Sequence, residues 1–152
     1  MRRPLAGIGI LDLATQTPGK YCTFLLADLG ASVLRVERPP SRPSPISDED
    51  LVLNRGKRSL TLNLRSSEGR ELLCDLAARS DVGIESSRPG VVRRRGVDPE
   101  RLRSRNDRLI YCSLSGVGQE GPYGQRPAYD LIFMALYGAL HALVGRHSAP
   151  FP

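Results

Sequence analysis

The chain has 152 residues, 40% of them hydrophobic, with 22 Lys and Arg against 16 Asp and Glu for a formal net charge of +6. Such a length and balance suit one globular domain with a real core, and they exclude a disordered tail or a fibrous repeat. The positive excess favours an anionic ligand, but its densest run, Arg93-Arg94-Arg95, is too short to bind nucleic acid by charge alone, so no nucleic-acid partner is expected.

In chain order, Met1 to Leu5 leads into no apolar signal-like run, and no segment is long enough to cross a bilayer. The expectation is a cytoplasmic protein with no membrane partner. Ile8 to Leu13 reads as a short buried strand. Tyr21 to Leu29 carries apolar residues at helical spacing and meets Gly30 where a helix would stop. Ser32 to Val36 is a second strand. Four prolines between Pro39 and Pro45 impose a loop. Leu60, Leu62 and Leu64 alternate with polar residues, as in a half-buried strand.

Ser66 or Ser67 can cap a helix to Arg79 with Leu72, Leu73 and Leu76 inward. Asp81 to Glu85 is the next strand. Asp98-Pro99 opens a short helix that ends near Asn106. Leu109 to Leu114 is a strand, 116–127 a Gly/Pro loop, and Tyr129 to Val144 one long apolar helix. The alternation predicts an α/β fold: a Rossmann-like, doubly wound, mostly parallel sheet with helices on both faces. Its expected extent is residues 1–145, with 146–152 as a tail. Cys22, Cys74 and Cys112 lie far apart in apolar runs and read as reduced, buried thiols; no cysteine or histidine cluster suggests a metal.

The glycine-rich turn of a dinucleotide site is missing, because the third glycine of GxGxxG would fall on Asp12. Gly56-Lys57 likewise lacks the rest of a P-loop. What remains is a cationic set, Arg38, Arg55, Lys57, Arg58, Arg88 and Arg94, for each of which solvated surface competes with ligand contact. Arg38 directly follows a strand, and Arg88 sits in a strand-to-turn junction. In open α/β sheets ligands bind at such carboxyl ends, and backbone N–H groups beside an arginine there make a phosphate cradle.

These blocks resemble the N-terminal portion of the class III coenzyme A-transferase family, which also holds formyl-CoA and carnitine CoA-transferases and the α-methylacyl-CoA racemases. The resemblance rests on Gly7 to Leu13, Leu25 to Pro39, Asn54 to Leu60, Asn63 to Glu71, Asn106 to Tyr123 and Arg126 to Asp130. It implies a CoA-binding Rossmann-like domain, incomplete relative to the interlocked dimer of the family. CoA or acyl-CoA would be a substrate, with no permanently bound cofactor. By matched position, Arg38 would contact the CoA phosphates and Leu62 would line the adenine pocket. Ser86, Ser87, Arg88 and Arg94 would hold the adenosine and diphosphate region. Thr17, Tyr129 and Asp130 would line the active site.

Two departures bear on that site. Gln16-Thr17-Pro18-Gly19 replaces the family's A-G-P turn, and Glu85-Ser86-Ser87-Arg88 loses an amide and an aromatic. Weaker CoA binding is the expectation. The family nucleophile is an aspartate in a G-D-x-x-x-G turn, and nothing from Ala128 to Pro152 supplies it. The isolated chain is therefore expected to bind rather than turn over, as a homodimer or with a chain supplying the C-terminal half. Tyr129 stands where racemases carry a histidine. An ordinary phenol titrates near ~10, which favours transfer over racemisation. A racemase-like protein and a non-catalytic remnant or partner subunit remain the rival readings.

Overall fold

The computed structural model describes residues 3–40, 46–127 and 129–143. Five strands, β1 (Gly9–Leu13), β2 (Ser32–Glu37), β3 (Arg58–Thr61), β4 (Val82–Glu85) and β5 (Ile110–Ser113), form one sheet in the order β3-β2-β1-β4-β5. Every neighbouring pair is parallel. The order reverses beside β1. Chain leaving β1 goes outward to β2 and β3, and then returns across to β4 and β5. That reversal opens a crevice at the carboxyl ends of the strands.

The helices follow in chain order: α1 (Thr17–Asp28), α2 (Asp48–Leu53), α3 (Ser67–Ala77), α4 (Val91–Arg94), α5 (Pro99–Arg105), α6 (Asp130–Leu136) and α7 (Ala139–Leu143). Successive strand residues point to opposite faces, so two cores form. Ile10, Val33 and Ile84 pack with Ala31, Cys22 and Leu26 on the α1 side. Leu11, Leu62, Leu109 and Val97 pack with Leu73, Cys74, Ala77 and Leu102 on the side of α3 and α5. Leu11, Leu73 and Leu102 are wholly buried, each stabilising the fold by about 1.5–3 kcal/mol relative to exposure.

The doubly wound parallel reading holds, with local corrections. Leu72 is 44% exposed; the inward stripe is Leu73, Cys74 and Ala77, and at 100° per residue Leu72 falls on the far side of Leu73, away from that stripe. Helix α1 starts four residues before the expected Tyr21, since Pro18 is compatible with a first helical turn. Helix α2 lies in a stretch for which no element was read. It is acidic in its first turn, and the Ser47 hydroxyl accepts from the Asp50 N–H at its start. Strand β3 begins two residues earlier than the leucine alternation suggests. The Ser66 hydroxyl caps α3 by accepting from the Gly69 N–H, and the Asp98 carboxylate caps α5 by accepting from the Arg101 N–H.

Of the long apolar helix expected from Tyr129 to Val144, the described part forms two short ones, Val144 lying outside the described residues. Tyr137 ends α6, and Gly138 at φ +78° adopts a left-handed conformation that no β-substituted residue takes readily. Of the three cysteines, Cys74 is buried, Cys22 half-buried and Cys112 exposed. Cys112 departs from the buried reading because its face of β5 has no covering helix among the described residues, and its neighbour Ile110 is 64% exposed.

Candidate functional site

The crevice holds a cleft of about 830 Å³. Leu13, Ala14 and Thr15 at the end of β1 form one wall, and Arg35 to Arg38 at the end of β2 another. Ser87 follows β4. Asp50, Leu51 and Asn54 come from α2 and the turn after it, while Leu62, Val92 and Val97 supply an apolar patch. Seven basic residues border it (Lys20, Arg35, Arg38, Arg55, Lys57, Arg58 and Arg95) against two acidic ones, Glu37 and Asp50. The cleft is therefore cationic beside an apolar patch. That combination suits a flat apolar ring attached to a polyanion.

Not every cation is turned to the cleft. The Lys20 ammonium lies 2.9 Å from the Asp50 carboxylate and 3.5 Å from Glu49. The Lys20 contact, together with bonds from Ser47 and Asn54, holds the Asp50 carboxyl below the usual carboxylate range. Arg35 donates to Glu37 at 2.7 Å and to the Asn54 side-chain oxygen at 2.6 Å. Arg55 donates to Asp28 and lies 4.9 Å over the Phe24 ring. Arg58 donates to the Ser32 hydroxyl at 3.0 Å. The Lys57 side chain is only 1% exposed and pairs with the wholly buried Asp12 at 3.1 Å. Burial pushes the Lys57 ammonium below the ordinary lysine range, opposed by the Asp12 charge.

Of the residues singled out from sequence, the fold brings Arg38, Leu62 and Ser87 to the cleft, together with Arg55 and Arg58 from the cationic set. Arg38 is exposed at the mouth. Leu62 is 7% exposed and anchored by its N–H to the Glu37 carbonyl. The Ser87 N–H donates to the buried Glu85 carboxylate at 2.6 Å. Ser86 turns the other way. Its hydroxyl accepts from the Thr15 and Gln16 N–H groups at 2.9 and 3.2 Å, tying the end of β4 to the start of α1.

Arg88 and Arg94 do not line the cleft; Arg95, one position on, does. Thr17 donates to Glu49 at 2.8 Å. Tyr129 and Asp130 form the exposed start of α6, away from the cleft-lining residues. Lys20, Arg35, Asp50, Asn54 and Arg95 escaped the sequence reading. Arg35 could have been found, because the alternation in β2 sets it on the face opposite Leu34. The others depend on α2 and on the exact turn of α4, which carry no periodic signal.

One face of α1 comes unusually close to the sheet. A Cβ at Gly19 would lie 2.5 Å from the Ala14 Cβ, so only glycine permits this approach. The end of β1, the first turn of α1 and the end of β4 thereby form one tightly joined corner of the cleft.

A family model described as CoA-transferase family III matches residues 5–151. The chain is 42% identical over 142 residues to the alpha-methylacyl-CoA racemase of Homo sapiens, which covers 93% of this chain and 36% of that protein. It is 38% identical over 148 residues to a probable fatty acyl-CoA transferase of Mycobacterium tuberculosis, covering 90% and 37%. A crystal structure of that mycobacterial protein superposes with a TM-score of 0.88 at 35% identity, over 99% of this chain and 44% of that one. The chain thus spans little more than a third of the length of the curated relatives it matches.

Proposed function

The chain belongs to CoA-transferase family III, and from that premise we propose that the cationic cleft at the strand ends binds the nucleotide end of coenzyme A. The carrying observation is the pairing of Arg38 at the mouth with an apolar patch at Leu62, Val92 and Val97 inside one cleft. Phosphate groups are met by Arg38, with Arg58 and Arg95 in reach of the same space. The adenine ring lies against Leu62, and Ser87 bounds the diphosphate region. Ser86, Arg88 and Arg94, expected as contacts, are assigned no direct role, because Ser86 is committed to the Thr15 and Gln16 amides and the other two lie off the cleft.

The reaction we propose for the whole protein is CoA transfer from an acyl-CoA to a carboxylate. A family aspartate attacks the thioester carbonyl and releases the CoA thiolate. The thiolate then displaces the acyl carboxylate from the mixed anhydride to give an enzyme-bound CoA thioester. The acceptor carboxylate attacks that thioester, releasing the thiolate and forming a second mixed anhydride, and the thiolate attacks its acceptor acyl carbon to give the new acyl-CoA and free the aspartate. No G-D-x-x-x-G turn occurs between Ala128 and Pro152. The role we propose for these residues is binding and orientation of coenzyme A, in an assembly whose nucleophilic aspartate lies outside them. Tyr129, with Thr17 and Asp130 as its proposed companions, approaches the thioester only in that assembly.

A racemase reading is favoured by the 42% identity to the human racemase and opposed by Tyr129. The phenol would have to act as a base far below its ordinary titration. The test is a calorimetric titration of the chain with coenzyme A beside Arg38→Ala. Saturable binding, weakened about tenfold or more when the charged contact is lost, is the expected result. A folded chain that does not bind overturns the proposal.

A further inference from the structure

Lys57 sits between two cleft-lining arginines, Arg55 and Arg58, and does the opposite of both. Its ammonium is turned into the molecule and has three close acceptors, one for each of its protons. These are the Asp12 carboxylate at 3.1 Å, the Thr23 hydroxyl at 2.7 Å and the Lys20 carbonyl at 3.0 Å. Asp12 is wholly buried at the end of β1. A carboxylate so placed stays ionised only if a counter-charge and hydrogen bonds replace water. Lys57 supplies the charge. Thr23 supplies a donated hydrogen bond of 2.6 Å to the same carboxylate oxygen.

The second Asp12 oxygen accepts the Ala14 N–H at 2.9 Å and so folds the chain at the start of the β1–α1 turn. The next two amides, Thr15 and Gln16, are held by the Ser86 hydroxyl. Three consecutive N–H groups are therefore fixed by side chains, one locally by Asp12 and two by Ser86 from the end of β4. Leu13, Ala14 and Thr15 are also the cleft wall formed by β1. A route of bonds runs from the α2–β3 turn through Lys57 and Asp12 to the backbone of that wall.

We propose that Lys57 is a positioning residue for the cleft. It does not touch the ligand, and it sets the β1–α1 wall by holding the buried Asp12 carboxylate in place. Thr23 is the second member of the same device. For its ligand consequence this inference rests on the coenzyme A reading of the cleft; its effect on the wall does not.

The experiment uses the whole chain with Lys57→Met, Thr23→Val and Thr23→Ser, with circular dichroism to establish folding. Hydrogen–deuterium exchange is followed at the Ala14, Thr15 and Gln16 amides, and coenzyme A affinity is measured over a series of salt concentrations. Lys57→Met and Thr23→Val should speed exchange at those amides about tenfold or more and weaken coenzyme A about ten- to a hundredfold, the scale expected of a misplaced wall. The salt dependence of binding should stay that of the parent, because no ligand-facing charge is lost. Thr23→Ser, which keeps the hydroxyl, should restore both readouts.

Should Lys57→Met fail to fold, the valine and serine pair at Thr23 decides the matter alone. Unchanged exchange at the three amides, or a serine variant as impaired as the valine one, would overturn the proposal. So would a salt dependence reduced in Lys57→Met, which would make Lys57 a direct ligand contact. If the parent chain binds no coenzyme A, the functional reading falls, while the exchange measurements still decide whether Lys57 positions the wall.

Discussion

At the carboxyl ends of β1 and β4, buried carboxylates are met by polar partners, Asp12 by Lys57 and Thr23 and Glu85 by the Ser87 N–H, and the half-buried Ser86 hydroxyl is met by two backbone amides. In α6 and α7 the pattern is inverted. Tyr129, Leu131, Leu136, Tyr137 and Leu143 are all exposed, with Tyr137 at 78%, and α6 packs chiefly against α7. The first region spends its polar side chains inside the molecule, and the second leaves apolar ones outside it. A buried ion pair is tolerated only when its own chain satisfies it, so the cleft is locally complete. A contiguous apolar face in solvent marks a contact surface. The two regions thus differ in what completes them: the buried charges of the cleft are met by this chain's own side chains, whereas α6 and α7 leave apolar side chains uncovered among the described residues.

The comparison can be broken most sharply at Lys57. Lys57→Met removes the counter-charge of the wholly buried Asp12 and should cost about 3–5 kcal/mol of stability in urea unfolding. A loss below about 1 kcal/mol would show that the cleft is not held by its buried charges. Next in size, Arg38→Ala should weaken coenzyme A about tenfold, close to 1.4 kcal/mol, while leaving the unfolding midpoint in place, since Arg38 is exposed. If the midpoint falls with the affinity, the arginine is structural.

Tyr111 on β5 offers an intermediate effect. Its hydroxyl is buried with no hydrogen-bond partner among the described residues, and burial pushes its titration well above the ordinary phenol range. Tyr111→Phe removes a desolvated donor and should be neutral or stabilising by up to about 1 kcal/mol. A loss of stability would mean that the hydroxyl finds a partner in solution. Tyr137→Lys should move stability by less than about 0.5 kcal/mol and reduce self-association in sedimentation. An unchanged association state would place the contact surface elsewhere.

The smallest expected effect concerns pH. The Asp50 carboxyl is held below its usual range, chiefly by Lys20, so its contribution is present above the unfolded value near ~3.9 and is lost as pH falls through the lower folded value. Asp50→Asn should remove a few tenths of a kcal/mol at neutral pH and flatten stability below pH ~4. An unaltered acid limb would show that the Lys20–Asp50 contact contributes nothing.

Strands β1, β2, β4 and β5 were legible from short apolar runs, and α3 and α5 from serine and aspartate caps that need nothing beyond four neighbouring residues. The exposed arginine at the end of β2 was legible for the same reason, because a strand end is marked locally. Lys57 was misplaced among the surface cations. Its sequence neighbours, Arg55 and Arg58, are exposed, and nothing nearby announces a buried aspartate 45 positions earlier. Ser86 was likewise placed against the ligand, whereas its hydroxyl is engaged by amides about 70 positions away. The single helix expected from Tyr129 failed at Gly138, where apolar periodicity outweighed a lone glycine.

Alternation of short strands and helices, read from the sequence by itself, determined the parallel α/β fold, because hydrophobic period and capping are local properties of a chain; the family was carried by the motif blocks between Gly7 and Asp130. Which cations face the cleft was decided only by the tertiary structure. The Lys57 and Arg58 side chains differ in role through one step of backbone direction, and the charge of Asp12 survives burial only because β1, α1 and the turn before β3 converge on one point.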